Sequence, residues 1–252
     1  MTLDSGSADI IQLAWARHLG LDDGAFAAVR MLDADAAVSG AGWPPAGGRI
    51  LRADESRKSV DFVRLFGASA LVGPQWALDA AEGIPDEELA QHVTLLTITR
   101  HHGGHGLGAA ALFFADDLPL LQPAEELTVS HGNPEAIELE GLCPPDDVNE
   151  VGLSELEHRF TILLDVQGRK APVACGAYTE WEGILAHMGV LVDPDWRRRG
   201  LGSLAASIAA HEALAAGLTL QWRTDVSNKG ALAIARSLGF STGGIQTSVL
   251  LG

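Results

Sequence analysis

Between residues 190 and 203 the chain collects groups able to hold a polyphosphate. Val190, Leu191 and Val192 end an apolar run, Pro194 interrupts it, and Arg197, Arg198, Arg199, Gly200, Leu201, Gly202 and Ser203 follow. A strand that runs into a proline cannot keep every backbone group paired with its neighbours, so a ligand can take those left over. Gly200 and Gly202 allow a tight turn and a close approach to a ligand with no Cβ in the way. A helical pattern begins at the same place, with its first N–H groups and positive dipole end aimed back at the glycines. Strand, glycine turn and helix start together make a phosphate cradle. Three consecutive arginines add fixed charge, which suits a ligand with several phosphates.

The elements that must position this cradle are legible on both sides of it. Residues 160–165 and 173–181 read as strands, and a longer strand at 184–192 is stopped by Pro194. Residues 203–216 form an alanine-rich helix with Leu204, Ile208 and Ala215 on one face and Gly217 as its cap. A strand at 218–224, a helix at 228–238 and a final strand at 244–251 complete the pattern. Upstream lie a short strand at 127–130 and helices at 134–142 and 146–153. The order β-α-α-β-β-β-α-β-α-β specifies a mixed α/β domain of ordinary size. Before it, helices are expected at 9–19, 76–81 and 86–98, β-prone sequence at 62–72 and 108–115, and a loop at 39–48. Pro119 and Pro123 among acidic residues place the boundary, so the expected domains are 1–122, a smaller α+β domain without assigned role, and 123–252.

Composition narrows the partners. The 252 residues carry a formal charge of −16, which argues against nucleic acid or an anionic membrane as the main partner. From His187 onward, however, six Lys/Arg face four acidic residues, a net of +2, leaving −18 on the remainder. An anionic ligand belongs in the last quarter, and a cationic one is favoured elsewhere. No stretch of eighteen apolar residues occurs, so no membrane-spanning helix is expected. The acidic, polar first nine residues are unlike a signal peptide, and two cysteines make no disulfide framework. A cytoplasmic protein is expected, with a homodimer compatible with the sequence.

Competing patterns exist. The segment from Gly200 to Ala205 also fits GxGxxG/A, with Asp225 near the place of a ribose-binding acid. Against a dinucleotide fold, seven residues including Pro194 separate strand from glycines, and only about fifty residues follow. His101, His102 and His105 lack a carboxylate or cysteine at ligand spacing, so no metal is expected. Gly106-Leu107-Gly108 echoes Gly200-Leu201-Gly202, which raises the idea of a degenerate internal repeat. Tyr178 and Trp181 read as core or pocket wall. Arg223, inside an apolar strand, either pairs with an acid or projects into the site.

The run from Val190 to Trp196 followed by Arg197-Arg198-Arg199-Gly200-Leu201-Gly202 resembles the pyrophosphate signature Gln/Arg-x-x-Gly-x-Gly/Ala of the GNAT superfamily of N-acetyltransferases. Asn228, Ala231, Ile234 and Gly239-Phe240 resemble that family's second signature, and similarity covers about 127–252. The resemblance implies acetyl-CoA as co-substrate and a small-molecule or peptide amine as acceptor, with direct attack in a ternary complex. It implies that the backbone of Val190, Leu191 and Val192 pairs with the pantetheine arm. The amides of residues 198–203 would hold the pyrophosphate, one arginine would lie near the 3′-phosphate, and Asn228 near the pantetheine. It also implies that Asp146, Asp147 and Glu150 line the amine pocket, although an ordinary helix start explains them equally well.

The sequence departs from the family where protons move. The usual general-acid tyrosine would fall at Ala235, and the strand glutamate of some members at Ala186. The candidate substitutes are Glu182, Glu180 and His187; in an unbroken strand Glu182 would share a side with Ala186. The acceptor ammonium, with a pKa of about 10, must lose a proton before attack, so a base or a water chain is required. Loss of both usual groups motivates an alternative, a non-catalytic acyl-CoA sensor.

Overall fold

A computed structural model describes residues 3–29, 48–119, 121 and 127–252. Most of the expected loop at 39–48 and the expected domain boundary at 122/123 lie outside the described residues. The chain forms two compact units. The C-terminal unit is built mainly from Phe114–Arg223 and Lys229–Ser241, and the N-terminal unit from Ser5–Phe113, Thr224–Asn228 and Thr242–Gly252.

The N-terminal unit holds helix α1 (Ser5–Leu19), strands β1 (Ile50–Ala53), β2 (Ser59–Leu65) and β3 (Ala68–Gly73), and helices α2 (Gln75–Ala80), α3 (Asp86–Leu89) and α4 (His92–Thr99). It also takes most of β4 (His105–Ala115) and of the last strand, β10 (Ser241–Leu250). Its sheet runs β1-β3-β2-β10-β4, with β10 antiparallel to β2 from Gly244/Leu65 to Leu250/Ser59. Thus the final strand of the chain completes the sheet of the N-terminal unit. The helix expected over 86–98 is two helices, because Gln91 is extended (ψ 124°). Leu89 and Leu95 are both fully buried in one cluster with Phe62, Leu71 and Val249. On an unbroken helix residues six apart point about 120° away from each other, so the break lets both reach the same core.

The C-terminal unit comprises β5 (Thr128–Ser130), α5 (Asn133–Leu142), α6 (Pro145–Val151), β6 (His158–Val166), β7 (Arg169–Trp181), β8 (Leu185–Val192), α7 (Leu201–Ala215), β9 (Thr219–Asp225, its last two residues in the other unit) and α8 (Lys229–Leu238). Its sheet runs β9-β8-β7-β6-β5; β8 is parallel to β9, and the other pairs are antiparallel. This is the mixed α/β architecture expected. Helices cover both faces. On one, Leu139 and Cys143 of α5 pack with Leu153, Leu156, Cys175, Ala177 and Leu191. On the other, Ala205 of α7 packs on Ile162, Val173 and Ala174.

Small residues set how close α7 lies. Its buried face is Ala205, Ala206, Ala209, Ala210 and Ala213, with Leu204 and Ile208 only half-buried and Ala215 exposed. The face expected from the larger apolar residues is therefore rotated. The reason is Gly176 on β7: a Cβ there would lie 2.0 Å from Ala205 O. Glycine below and alanine above let the helix backbone rest almost on the sheet, where dispersion contacts are dense.

Candidate functional site

Strands β8 and β9 form a fork. Their parallel ladder covers only Leu185/Thr219 to Met188/Trp222, whereas β8 stays paired with β7 as far as Val192/Ala174. Asp193 N–H donates to Val173 O (3.0 Å), which places 193, 191 and 189 at the hydrogen-bonded positions of the β7 ladder. The N–H and C=O of Val190 and Val192 consequently turn toward the open side. Leu191 differs from the expectation: its backbone belongs to the β7 ladder and its side chain, 2 % exposed, belongs to the core. Val192 O is also taken, by Arg197 Nε (3.2 Å) and the Cys143 thiol (3.6 Å). The open edge from Met188 to Val192 is about 13 Å long at strand rise.

At the end of this edge the chain makes a 3-10 turn, Pro194–Trp196, capped by Asp193 Oδ1, which accepts from Asp195 N–H (2.9 Å). The turn into α7 follows. Arg198 (φ 63°) and Gly200 (φ 82°) are both left-handed; alternation of this kind aims successive N–H groups into one concavity. Gly200 caps α7 without a side-chain hydrogen bond, and Leu204 N–H donates to Gly200 O (3.0 Å) as the helix begins. The N–H groups of Leu201, Gly202 and Ser203 thus point out of the helix end, the arrangement that binds anions.

The two glycines have different tasks. Gly200 supplies the backbone conformation, and a Cβ on it would meet nothing within 4 Å. Gly202 is a packing glycine: a Cβ would sit 3.0 Å from Ile234 Cδ1 and 3.2 Å from Val192 Cγ2. It seats the helix start against β8 and α8. Ser203 Oγ and Ser237 Oγ, 3.3 Å apart, join the same two helices. The second signature begins at Asn228, just before α8. Asp225 Oδ1 accepts from Ser227 N–H (2.7 Å) and Ser227 Oγ (2.6 Å), and Asn228 N–H donates to Asp225 O (3.0 Å), so Asn228 stands immediately before α8. Those bonds to Ser227 hold the Asp225 carboxyl below the usual carboxylate range.

The three substitute proton carriers fall in three places. Glu182 is not in a strand: β7 ends at Trp181, and Glu182 (φ 54°) and Gly183 (φ 68°) form the hairpin turn. The alternation that would align Glu182 with Ala186 therefore does not apply. Glu180 is exposed on β7, opposite Ala186, on the face that α7 covers. His187 lies on the other face, toward α5 and α6, because its neighbour but one, Gly189, sits under Val151 and Leu156. It is in register with Thr179 and Gln221 at the base of the fork. Its Nδ1 is buried and has no hydrogen-bond partner among the described residues. Burial, with a smaller contribution from the Arg223 charge, lowers the ring's pKa to about 4, so His187 is neutral near pH 7. Ala186 and Ala235 are fully buried aliphatic positions.

Other patterns resolve differently. Gly106, Leu107 and Gly108 are all left-handed and lie within a strand, so their echo of Gly200-Leu201-Gly202 is not matched by a helix start. His101 Nε2 accepts from Arg100 Nε, His102 stacks on Trp76 (3.6 Å), and His105 Nδ1 lies 2.8 Å from Gly103 O. Among the described residues no group of three or more His, Cys, Asp or Glu could hold a metal ion. Tyr178 is a core residue, stacked on His158 (4.5 Å) with its hydroxyl pKa raised by burial. Among the described residues no helix is long and apolar enough to cross a membrane. Sequence reasoning missed Gly176 and Gly189, whose strand positions signal close approach only once the overlying element is known.

Comparison with known proteins points to the same stretch. Residues 133–240 match the model of the acetyltransferase (GNAT) family. Similar solved structures include a putative GNAT acetyltransferase from Novosphingobium aromaticivorans (17% identity, 59% of this chain and 67% of that one, TM-score 0.46). Others are a GCN5-related N-acetyltransferase from Kribbella flavida (20%, 62% and 63%, TM-score 0.43) and a GCN5-related N-acetyltransferase-like protein from Streptococcus suis (15%, 79% and 87%, TM-score 0.45). The chain spans 55% of the length of a Drosophila protein that is also similar. None of the curated proteins matches the chain. The likeness to the GNAT family is that of residues 133–240, the stretch that holds the fork and the start of α7.

Proposed function

We propose that the C-terminal unit transfers an acetyl group from acetyl-CoA to a primary amine, by direct attack in a ternary complex. The fork between β8 and β9, opening onto the N-terminus of α7, is the observation that carries this reading. Acetyl-CoA would supply the acetyl group as an activated thioester. The Val190 N–H and C=O and the Val192 N–H pair with its pantetheine arm as an added strand would. The N–H groups of Arg198 through Ser203 take the pyrophosphate, and Asn228 binds near the pantetheine. At the base of the fork a backbone N–H near Val190 stabilises charge on the thioester oxygen.

His187 is the proton acceptor this geometry favours over Glu180 and Glu182. It lies at the base of the fork, keeps its lone pair at any pH above about 4, and has a buried nitrogen awaiting a partner. Its low basicity makes it a hydrogen-bond acceptor or relay for a proton on its way to water rather than a strong base. The acceptor is a small-molecule or peptide amine, its positive charge attracted by the protein's −16. Neither nucleic acid nor membrane is a partner, and the setting is cytoplasmic.

Titration with acetyl-CoA tests the reading: binding is expected for the wild type and is lost in Gly202→Glu, whose side chain must enter the contact with Val192 and Ile234. An amine panel followed by free-thiol release then tests transfer. The buried alanines at 186 and 235 favour one second reading, a non-catalytic acyl-CoA sensor. Turnover with any amine eliminates that alternative; binding without turnover across the panel selects it.

A further inference from the structure

The three consecutive arginines have three different environments. Arg197 donates from Nη2 to Asp147 Oδ2 (2.6 Å) and from Nε to Val192 O (3.2 Å), so one edge of its fork is occupied. Asp147 belongs to the first turn of α6. Cys143, which follows α5, reaches the same Val192 carbonyl with its thiol (3.6 Å). Arg199 lies over the Trp196 ring (4.5 Å) and donates to Asp195 O (3.2 Å). Arg198 has a left-handed backbone, is exposed, and its guanidinium makes no hydrogen bond or ion pair among the described residues.

We propose that the arginines divide the work: Arg198 presents its charge to the phosphates of coenzyme A, while Arg197 and Asp147 form a strut that positions the loop. The inference rests on the acetyl-CoA reading above. An exposed ion pair by itself contributes little. This one has a second anchor, because the same guanidinium holds the last carbonyl on the open edge of β8. The strut therefore fixes where added-strand pairing stops, leaving Val190 and the Val192 N–H to the pantetheine. It also ties the α5–α6 turn to the phosphate loop, so the helices facing His187 and the cofactor cradle move together. Asp147 is a positioning residue in this scheme, although its charge alone would repel a phosphate.

That conflict of signs makes the test decisive. Coenzyme A is titrated calorimetrically into the full chain as wild type, Arg197→Gln, Arg198→Gln, Asp147→Asn, Asp147→Glu and the Asp147→Asn/Arg197→Gln double variant, over about 50 to 500 mM NaCl. Thermal melts verify that each is folded. Arg198→Gln is expected to weaken binding about tenfold or more, as for a charge-assisted bond, and to flatten the salt dependence. Arg197→Gln and Asp147→Asn should each weaken it about three- to tenfold with the salt dependence unchanged. Their double variant should be no worse than either single, and Asp147→Glu should recover part of the loss. Tighter binding by Asp147→Asn would overturn the proposal, since Asp147 would then merely compete for an arginine that binds phosphate itself. Unchanged affinity in Asp147→Asn would equally overturn it. A wild type that does not bind coenzyme A is a distinct failure, which removes the acetyl-CoA reading and this division with it.

Discussion

Replacing Gly176 with alanine tests whether the closeness of α7 to the sheet is what holds the cradle in place. The added Cβ would lie 2.0 Å from Ala205 O, 2.5 Å from its carbonyl carbon and 3.1 Å from Ala206 N. All three are backbone atoms, so no rotamer change relieves the clash. The helix must withdraw by about 1 Å for the Cβ to clear 3.0 Å. Overpacking of this kind costs about 3 kcal/mol at the upper end of its range. Removing a glycine from a strand returns about 0.5–1 kcal/mol of chain entropy. A net loss of about 2 kcal/mol corresponds to a melting temperature lower by about 4–8 °C for a chain of this size. Because Gly176 is also in register with Val190, the displacement reaches both the helix end and the open strand edge. Affinity for acetyl-CoA should therefore fall about tenfold or more, since misplacement by about 1 Å can cost a factor of about 100. Scanning calorimetry and isothermal titration measure the two effects. Gly141→Ala is the control: it lies in α5 with nothing within 4 Å of its Cβ, and should stabilise by about 1 kcal/mol without touching affinity. A Gly176→Ala protein that melts with the wild type refutes the packing argument. One that melts early but binds acetyl-CoA normally refutes the link from packing to cradle.

Three further outcomes follow from named groups. The folded-state pKa of His187, about 4, is below its ordinary 6.5, so its burial contributes stability that is complete above pH 6.5 and is lost as pH falls toward 4. Chemical denaturation at pH 7 and pH 5 should show a smaller pH-dependent loss for His187→Gln than for the wild type; equal losses would contradict the burial of that ring. Glu180→Gln and Glu182→Gln should release thiol at the wild-type rate, because one side chain is on the α7 face and the other in an exposed turn, whereas His187→Ala should slow release with acetyl-CoA affinity retained. Asp225→Ala should cost about 1 kcal/mol by removing the acceptor of both Ser227 bonds, measured by urea denaturation, with Asp225→Asn milder.

The local order of elements and the strand, glycine turn and helix start at 190–203 were legible in the sequence, because both are written in neighbouring residues. Pro194, the arginines, Gly200 and the alanine-rich run that follows specify a strand, a turn and a helix start through backbone conformation alone, and those three make an anion site wherever they occur together. The same sequence determined that Ala186 and Ala235 carry no proton. Long-range pairing decided the rest. Glu182 left the strand because the hairpin turns there. Arg197 pairs with Asp147, fifty positions away. The last strand joined β2 rather than the unit whose chain it ends. Each outcome depends on which backbone lies alongside which, and no spacing of residues along one chain encodes that. The fork itself arises because β9 stops pairing with β8 at Met188 while β7 continues, a difference between two neighbours that exists only in the folded sheet.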